Sequence, residues 1–115
     1  MTENCIFCQI VARQSPAEIV FQDEQVTAFE DRHPASPVHL LIVPNRHITS
    51  LNRISEEDEM LLGHMVIVAR KLAENYLISQ SGYRLILNTG QDAGQSVFHL
   101  HYHLLGGKPL PLPTR

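Results

Sequence analysis

Residues 95–107 read Gln-Ser-Val-Phe-His-Leu-His-Tyr-His-Leu-Leu-Gly-Gly, so that three of the seven histidines of the chain, His99, His101 and His103, occupy every second position. Successive side chains of an extended strand point to opposite faces. The spacing therefore predicts a strand with three imidazoles on one face and apolar side chains on the other. Histidine is not a favoured strand residue, so three in register indicate a function.

The residues alone leave three interpretations of this strand open. It can be a half-exposed strand whose polar face happens to be histidine. It can be a metal site, because His-x-His on one strand face presents two nitrogens to zinc. It can also carry out nucleophilic or acid–base chemistry, because imidazole changes its charge near neutral pH.

The motif His-Leu-His-Tyr-His-Leu-Leu at 99–105 resembles the signature of the histidine-triad (HIT) superfamily of nucleotide hydrolases and transferases. Gly-Gln-Ser at 94–96 and Gly-Gly at 106–107 resemble its Hint branch, the purine nucleoside phosphoramidases, more than the dinucleoside-polyphosphate hydrolases. The resemblance extends from Ile6 to Pro109. It implies a HIT-like fold and a reaction at the phosphorus atom of a nucleotide.

Length and composition indicate one domain without a membrane segment. The chain has 115 residues, of which 43% are hydrophobic and 18% charged, and it has neither a leader pattern nor a run of about 18 apolar residues. We therefore expect a soluble, cytoplasmic protein that does not bind membranes. The net charge is -3 and the basic residues are scattered, which argues against a nucleic-acid polymer as partner but not against a single nucleotide.

The hydrophobic pattern predicts an α+β fold, with a five-stranded, mostly antiparallel sheet, one long helix and a short N-terminal helix. Ser55 and Asp58 resemble a capping box at the start of the long helix, its apolar stripe continues to Leu77, and Gly82 follows its end. Three prolines favour an extended tail over 108–115. The predicted elements are a helix over 5–11, a hairpin over 19–21 and 26–29, a central strand over 38–43, the long helix from Ser55 to Ser81, a strand over 83–89 and the histidine strand.

The resemblance implies a role for each of four residues. The middle histidine of the family signature is the nucleophile that forms a nucleotidyl-histidine intermediate, and this position is His101. His103 would bind the phosphate, and His39 would orient His101 or relay a proton for it. From the residues alone, His39 can equally be a core histidine whose nitrogens the backbone satisfies. Ser96 would donate a proton to the leaving group.

The resemblance also implies a nucleotide pocket. Asp31 would accept from the ribose hydroxyls, although an aspartate before a proline-rich loop also commonly starts a turn. Backbone N–H groups of residues 94–96 would hold phosphate oxygens. Arg32 departs from the family pattern, in which an apolar residue lies beside the base, and this leaves the base preference open. The matching positions are Phe7, Ile10, Phe29 and Leu41 as an apolar slot for the base, together with Asp31, Asn88, Gly94, Gln95, Ser96, His101 and His103.

Both cysteines lie in one motif, Cys5-Ile6-Phe7-Cys8. A disulfide across so short a loop would constrain little, and no strand precedes the motif as in thioredoxin-like pairs. The cysteines are either reduced buried thiols or half of a metal site. Some HIT members and the related galactose-1-phosphate uridylyltransferases bind structural zinc in this way. By that resemblance the ligands are Cys5, Cys8, His47 and His99.

The function implied by the resemblance is hydrolysis of a purine nucleoside 5′-phosphoramidate, or a related nucleoside phosphoryl conjugate, to the nucleoside monophosphate without a catalytic metal. Hint proteins are homodimers, with the strand here at 83–89 in the interface and the tail near the partner's active site. Three alternatives remain open. They are a dinucleoside-polyphosphate hydrolase or nucleotidyl transferase, a nucleotide-binding regulatory module with little turnover, and a zinc hydrolase with the three strand histidines as ligands.

Overall fold

A computed structural model describes residues 4–112 of the chain. The elements, in chain order, are helix α1 (Ile6–Val11), strands β1 (Ile19–Gln22), β2 (Val26–Glu30) and β3 (Val38–Pro44), helix α2 (Glu59–Asn75), and strands β4 (Tyr83–Leu87) and β5 (Tyr102–Gly106). Short 3-10 turns cover Leu51–Arg53, Glu56–Asp58 and Gln91–Ala93. The predicted α+β class and order of elements are confirmed.

The five strands form one sheet in the order β1-β2-β3-β5-β4, and each neighbouring pair is antiparallel. The central position of β3 agrees with its run of apolar residues on both faces, since only a strand covered on both sides needs such a run. The two edges of the sheet are β1 and β4.

The two helices cover opposite faces of the sheet. Leu40 and Ile42 of β3 pack in the main core with the apolar side of α2, whereas Leu41 and Val43 pack in a second cluster with Phe7 of α1. Alternating residues of one strand point to opposite faces. The α1 face is therefore also the face of His39, which alternates with Leu40 and points to the same side of β3 as Leu41.

The histidine strand is shorter than predicted. β5 begins at Tyr102, so of the three histidines only His103 lies within the strand. In the segment before it, the Leu100 amide donates at 2.7 Å to the carbonyl of Ile48, which lies in the loop after β3 and not in the strand itself. The apolar half of the pattern is confirmed, since Leu100, Tyr102 and Leu104 are all buried against the α2 core.

The predicted cap of the long helix is confirmed, but α2 itself begins one 3-10 turn after Ser55, at Glu59, and ends earlier than predicted. Ser55 and Asp58 form a capping box on the 3-10 turn that leads into α2. The helix ends at Asn75, and Leu77 then takes a left-handed conformation, with φ of 61°, and is 87% exposed. The predicted stripe to Leu77 therefore runs two residues past the end of the helix, and the predicted end near Gly82 was wrong by about two turns.

The other bounds differ by few residues. The predicted strand over 83–89 ends at Leu87. Residues 108–112 of the predicted tail form neither helix nor strand, and residues 113–115 lie outside the described range. Within residues 4–112, no helix is long and apolar enough to cross a membrane.

Candidate active site

Two of the predicted catalytic histidines meet across neighbouring strands. His103 of β5 lies opposite Leu41 of β3, and His39 lies opposite Leu105, so the two histidines are diagonal neighbours on the α1 face. Nε2 of His39 is 2.9 Å from Nδ1 of His103. The resemblance implied that His39 would act on His101, but the direct hydrogen-bond partner of its ring is His103.

His101 is buried, and the backbone determines its tautomer. Its Nδ1 lies 2.7 Å from the carbonyl oxygen of His99. A carbonyl can only accept, so Nδ1 carries the proton and Nε2 keeps an unshared electron pair. The edge of the Phe7 ring packs against the imidazole, with ring centroids 5.1 Å apart at 87°. His101 is therefore a fixed imidazole with one nucleophilic nitrogen.

Burial keeps the histidines of the site neutral. Burial lowers the pKa of His101 below its ordinary value, and the carbonyl of His99 and the charge of Asp31 only partly oppose this effect. Burial also lowers the pKa of His39, against the charge of Asp31. For His103, burial and the neighbouring His101 and His39 lower the pKa to about 4. These lowered pKa values favour the neutral form of all three rings, in which one nitrogen keeps its electron pair, as a nitrogen nucleophile requires.

Asp31 belongs both to the turn after β2 and to the histidine cluster. Its Oδ1 accepts from the His33 amide at 2.8 Å, and its Oδ2 lies 3.3 Å from Nε2 of His39. The amide of Asp31 donates to the carbonyl of His39, which closes the loop between β2 and β3. The carboxylate therefore starts the turn and also faces the site, while its contact with ribose stays a prediction.

The four apolar residues predicted to form a slot for the base lie together. Phe7, Ile10, Phe29 and Leu41 are all buried in the second cluster, and the rings of Phe7 and Phe29 make an edge contact at 5.3 Å. This cluster borders the site, because Phe7 also contacts His101. Contact with a base stays a prediction, since packing among themselves also accounts for their burial.

The loop before the histidines has a different bonding pattern from the one predicted. The amides of Gly94 and Gln95 donate to the carbonyls of Gln91 and Gly90, so among residues 94–96 only the Ser96 amide lacks an acceptor in the described part of the chain. The side chain of Gln95 is buried, and its Oε1 accepts from the Gly90 amide. This side chain holds the loop rather than facing solvent.

Ser96 and Asn88 lie in the loop that leads from β4 to the histidines. Ser96 is exposed and lines a cleft of about 360 Å³ together with residues that include Ile6, His47 and Phe98. Asn88 follows β4 and is half-buried. Among the described residues, the lining of this cleft includes neither His101 nor His103, so the predicted roles of Ser96 and Asn88 stay predictions.

The predicted metal ligands converge. The ligand atoms of Cys5, Cys8, His47 and His99 all lie within 4.8 Å of one another. Nδ1 of His99 is 3.3 Å from Sγ of Cys5 and 3.5 Å from Sγ of Cys8, and Nδ1 of His47 is 3.3 Å from Sγ of Cys8. Both cysteines are free. The four side chains can hold a metal ion.

His99 is oriented for this role by a backbone group. Its Nε2 lies 2.8 Å from the carbonyl oxygen of Pro44, which accepts the ring proton and leaves the electron pair of Nδ1 directed at the cysteines. His99 therefore belongs to the cysteine cluster and not to a cluster with His101 and His103. Within residues 4–112, no group of potential metal ligands contains all three histidines, which leaves the zinc-hydrolase alternative without support.

Comparison with known proteins agrees with this geometry. The family model described as "Scavenger mRNA decapping enzyme C-term binding" matches residues 4–110. A HIT family hydrolase of known structure from Legionella pneumophila superposes with a TM-score of 0.94 and 44% identity, covering 96% of this chain and 98% of that one. The chain belongs to the histidine-triad family. This membership confirms the resemblance found in the sequence.

Two further histidine-triad relatives are closely similar. The purine nucleoside phosphoramidase of Escherichia coli strain K12 is 51% identical over 110 residues, which cover 96% of this chain and 92% of that protein. A HIT family hydrolase from Clostridium thermocellum superposes with a TM-score of 0.93 and 48% identity, and 96% of each chain is covered.

Sequence reasoning missed the backbone groups that orient the histidines. The carbonyls of Pro44 and His99 and the amide of Ala35, which donates to Nδ1 of His39 at 2.9 Å, each determine the position of a ring proton. Every residue has a carbonyl and every residue except proline has an amide, so the sequence carries almost no signal for these contacts.

Proposed function

We propose that the protein hydrolyses purine nucleoside 5′-phosphoramidates to the nucleoside monophosphate and a free amine, through a covalent intermediate on His101. One observation carries the proposal. His101 is buried, lacks charge at neutral pH, and has its proton held on Nδ1 by the carbonyl of His99, so that Nε2 is free to attack. The substrate class is suggested by the similar phosphoramidase of Escherichia coli.

The reaction has two displacements. Nε2 of His101 forms a bond to phosphorus, and the bond from phosphorus to the amine nitrogen breaks with protonation of the departing amine. Water then attacks phosphorus and the bond to Nε2 breaks, which releases the nucleoside monophosphate and restores the imidazole. The hydroxyl of Ser96 relays a proton from solvent to the leaving amine, and the proton that the attacking water loses in the second displacement returns to solvent, so that Ser96 stays neutral throughout. A neutral His103 donates to a phosphate oxygen.

The nucleotide would lie on the α1 face of the sheet. Asp31 accepts from the ribose hydroxyls, and the apolar residues around Phe7 and Phe29 contact the base. Ile10 and Leu41 belong to the same apolar group as the two phenylalanines, and Asn88 is assigned to the phosphate. Because the amides of Gly94 and Gln95 have internal acceptors, the Ser96 amide is the backbone donor that we assign to phosphate.

A substrate panel tests the function. Adenosine and guanosine 5′-phosphoramidates are compared with diadenosine polyphosphates, with nucleoside monophosphate release followed by chromatography. We expect turnover of the phosphoramidates with the higher kcat/KM. Preference for the polyphosphates would replace the proposal with a dinucleoside-polyphosphate hydrolase, and binding without turnover would replace it with a nucleotide-binding module.

The metal ion of the cysteine cluster is zinc in this proposal. Bonds of about 2.3 Å to sulfur and about 2.0 Å to nitrogen at tetrahedral angles separate a sulfur from a nitrogen ligand by roughly 3.5 Å. The sulfur–nitrogen distances of 3.3, 3.3 and 3.5 Å in the cluster fit this value. Two thiolates and two imidazoles fill a tetrahedral ion, so it would serve structure by tying α1 to the loop after β3.

The protein is also proposed to be a homodimer. β4 is an edge strand that pairs only with β5 among the described residues, and its Tyr83 is 40% exposed. Val66 and Ile67 of α2 are 45% and 43% exposed. A second copy related by a twofold axis would pair the edge and cover such side chains.

A further inference from the structure

Asp31, His39 and His103 form a second cluster, separate from the cysteines, whose ligand atoms lie within 4.8 Å of one another. Two imidazoles and a carboxylate resemble a metal-binding set by composition. The two shortest contacts are 2.9 Å between the rings and 3.3 Å between Oδ2 of Asp31 and Nε2 of His39. Whether the cluster can bind a metal ion depends on which ring nitrogens carry protons, and this follows from the contact made by Nδ1 of His39.

The amide of Ala35 shows that Nε2 of His39 carries a proton. It donates to Nδ1 of His39 at 2.9 Å. An amide is always a donor, so Nδ1 carries no proton, and a neutral imidazole then carries its proton on Nε2. A nitrogen that carries a proton cannot bind a metal ion. The proton on Nε2 faces Nδ1 of His103 at 2.9 Å and, less closely, Oδ2 of Asp31 at 3.3 Å, and both acceptors favour this tautomer. His39 is therefore a hydrogen-bond donor at Nε2 and not a metal ligand.

The same reasoning determines the tautomer of His103. Its Nδ1 accepts the proton of His39 Nε2, so a neutral His103 carries its own proton on Nε2. His101 has the opposite tautomer, because its Nδ1 donates to the carbonyl of His99. The two rings have centroids only 5.0 Å apart. His101 therefore presents an electron pair at Nε2, whereas the neighbouring His103 presents a proton at Nε2.

We propose that the backbone amide of Ala35 is a positioning group for the reaction: through His39 it holds His103 in the Nε2-protonated tautomer, so that His103 donates to phosphate and only His101 can attack. The effect of these tautomers on catalysis rests on the proposed function. The tautomers themselves do not depend on any substrate, so a failure of the proposed function and a failure of this inference are distinguishable.

The loop from 31 to 38 holds this amide in place. The amide of Asp31 donates to the carbonyl of His39, the side chain of Asp31 accepts from the His33 amide, and the hydroxyl of Ser36 donates to the carbonyl of Val38 at 2.6 Å. These bonds fix both ends of the segment that contains Ala35. The side chain of Ala35 is exposed and can be changed without altering a contact in the core.

The experiment determines which imidazole nitrogens carry protons, by ¹H–¹⁵N correlation NMR of the metal-loaded protein at neutral pH. In the wild type we expect Nε2-protonated His39 and His103 and Nδ1-protonated His101. Ala35→Pro removes the donor, and both tautomers of His39 and His103 should then be populated. Ala35→Ser keeps the amide and should keep the tautomers of the wild type. In Ala35→Pro, kcat should fall in proportion to the fraction of His103 without an Nε2 proton, whereas KM changes less.

A second variant keeps the inference testable if Ala35→Pro does not fold. His39→Leu leaves Nδ1 of His103 without its donor, and both tautomers of His103 should again be populated. An Nδ1-protonated or doubly protonated His103 in the wild type would overturn the inference. So would a single, unchanged His103 tautomer in folded Ala35→Pro or in His39→Leu. If the wild-type protein shows the expected tautomers but does not hydrolyse the phosphoramidates, the result would count against the proposed function alone.

Discussion

The carbonyl oxygen of His99 lies 2.7 Å from Nδ1 of His101, while the ring of the same His99 faces Cys5 and Cys8 at 3.3 and 3.5 Å. One residue thus gives its backbone to the proposed nucleophile and its side chain to the cluster that can hold a metal ion. Because the ring and the carbonyl belong to one residue, and the ring is held by both the cysteines and Pro44, we expect that disturbing the cluster also disturbs the orientation of His101.

Removal of the metal should therefore lower both stability and kcat. Protein purified without added metal should contain about one zinc per chain by elemental analysis. A Cys5→Ser, Cys8→Ser variant should lose the zinc, unfold at a lower temperature and, while still folded at low temperature, show a reduced kcat. In the metal-free cluster, burial and the neighbouring Cys5 raise the pKa of the Cys8 thiol to about 11, so a bound cation is needed to hold it as thiolate at neutral pH.

His47→Ala serves as the control for the cysteine double variant. His47 is an exposed ligand that contacts the ring of His99, with centroids 5.0 Å apart, so its loss should weaken metal binding while the backbone hydrogen bond from His101 to the carbonyl of His99 can persist. It should therefore reduce kcat only to the extent that zinc is lost, and added zinc should restore the rate. A metal-free wild type with unchanged melting temperature and kcat would contradict the coupling.

Substitution of the proposed nucleophile should abolish turnover without abolishing binding. His101→Ala leaves the apolar cluster around Phe7 and the turn at Asp31 intact, so nucleoside monophosphate should still bind by calorimetry. Activity should fall by roughly 10⁴-fold or more, because the loss of a nucleophile removes the covalent route. His64→Gln serves as the control, since His64 pairs with Asp23 at 2.6 Å outside this site. Activity of His101→Ala within tenfold of His64→Gln would contradict the assignment.

The lowered pKa values predict that activity persists into mildly acidic solution. An ordinary histidine is half protonated at pH 6.5, whereas burial lowers the pKa of His101 and His39 below that value and that of His103 to about 4. The acid limb of kcat/KM should therefore lie below pH 6.5. A limb at or above pH 6.5 would show that the reacting imidazole is solvated.

Stability should depend on pH for the same reason, with a definite sign. Between pH 6.5 and about 4 the unfolded chain binds a proton at His103 that the folded chain does not bind, so the free energy of unfolding falls as the pH falls through this window. Urea denaturation across these pH values measures the slope. His103→Asn should flatten it, because asparagine does not titrate, and an equal slope in both proteins would contradict the low pKa.

The sequence predicted those features of the fold and site that depend on side-chain pattern. Alternation placed Leu100, Tyr102 and Leu104 in the core, and two-sided apolarity placed β3 at the centre of the sheet. The length of β5 and the partner of His39 depend instead on backbone hydrogen bonds such as that of Leu100 to Ile48. Such bonds form between atoms that nearly every residue has, so no residue type marks them.

The end of α2 was also missed because it depends on a backbone conformation that the residue type does not mark. This conformation leads to a prediction about stability. Leu77 adopts φ of 61° at the position where glycine is usual, and its side chain is 87% exposed. A Cβ in this conformation costs roughly 1 kcal/mol, while the exposed side chain contributes little. Leu77→Gly should therefore stabilise the protein by about that amount in urea denaturation. Leu77→Ala keeps the Cβ and should not, so equal effects of the two substitutions would show that the backbone is unstrained.

The proposed dimer makes a prediction about the tail. If the second copy pairs along β4, the tail that follows β5 leaves the sheet beside the partner and can reach the leaving-group side of its pocket. Residues 108–112 form neither helix nor strand, and Leu112 is 68% exposed. Deletion of 108–115 removes few backbone hydrogen bonds, because prolines occupy three of the eight positions.

The deletion should thus alter relative rates across phosphoramidates with different amines more than it lowers the melting temperature. Light scattering of the intact protein should give the mass of two chains at micromolar concentration, and Tyr83→Lys, which adds a charge to the exposed edge, should shift it toward one. A rate change in the deleted protein that is uniform across all amines would mean that the tail does not contact the leaving group. A single-chain mass for the intact protein would exclude the partner on which that contact depends.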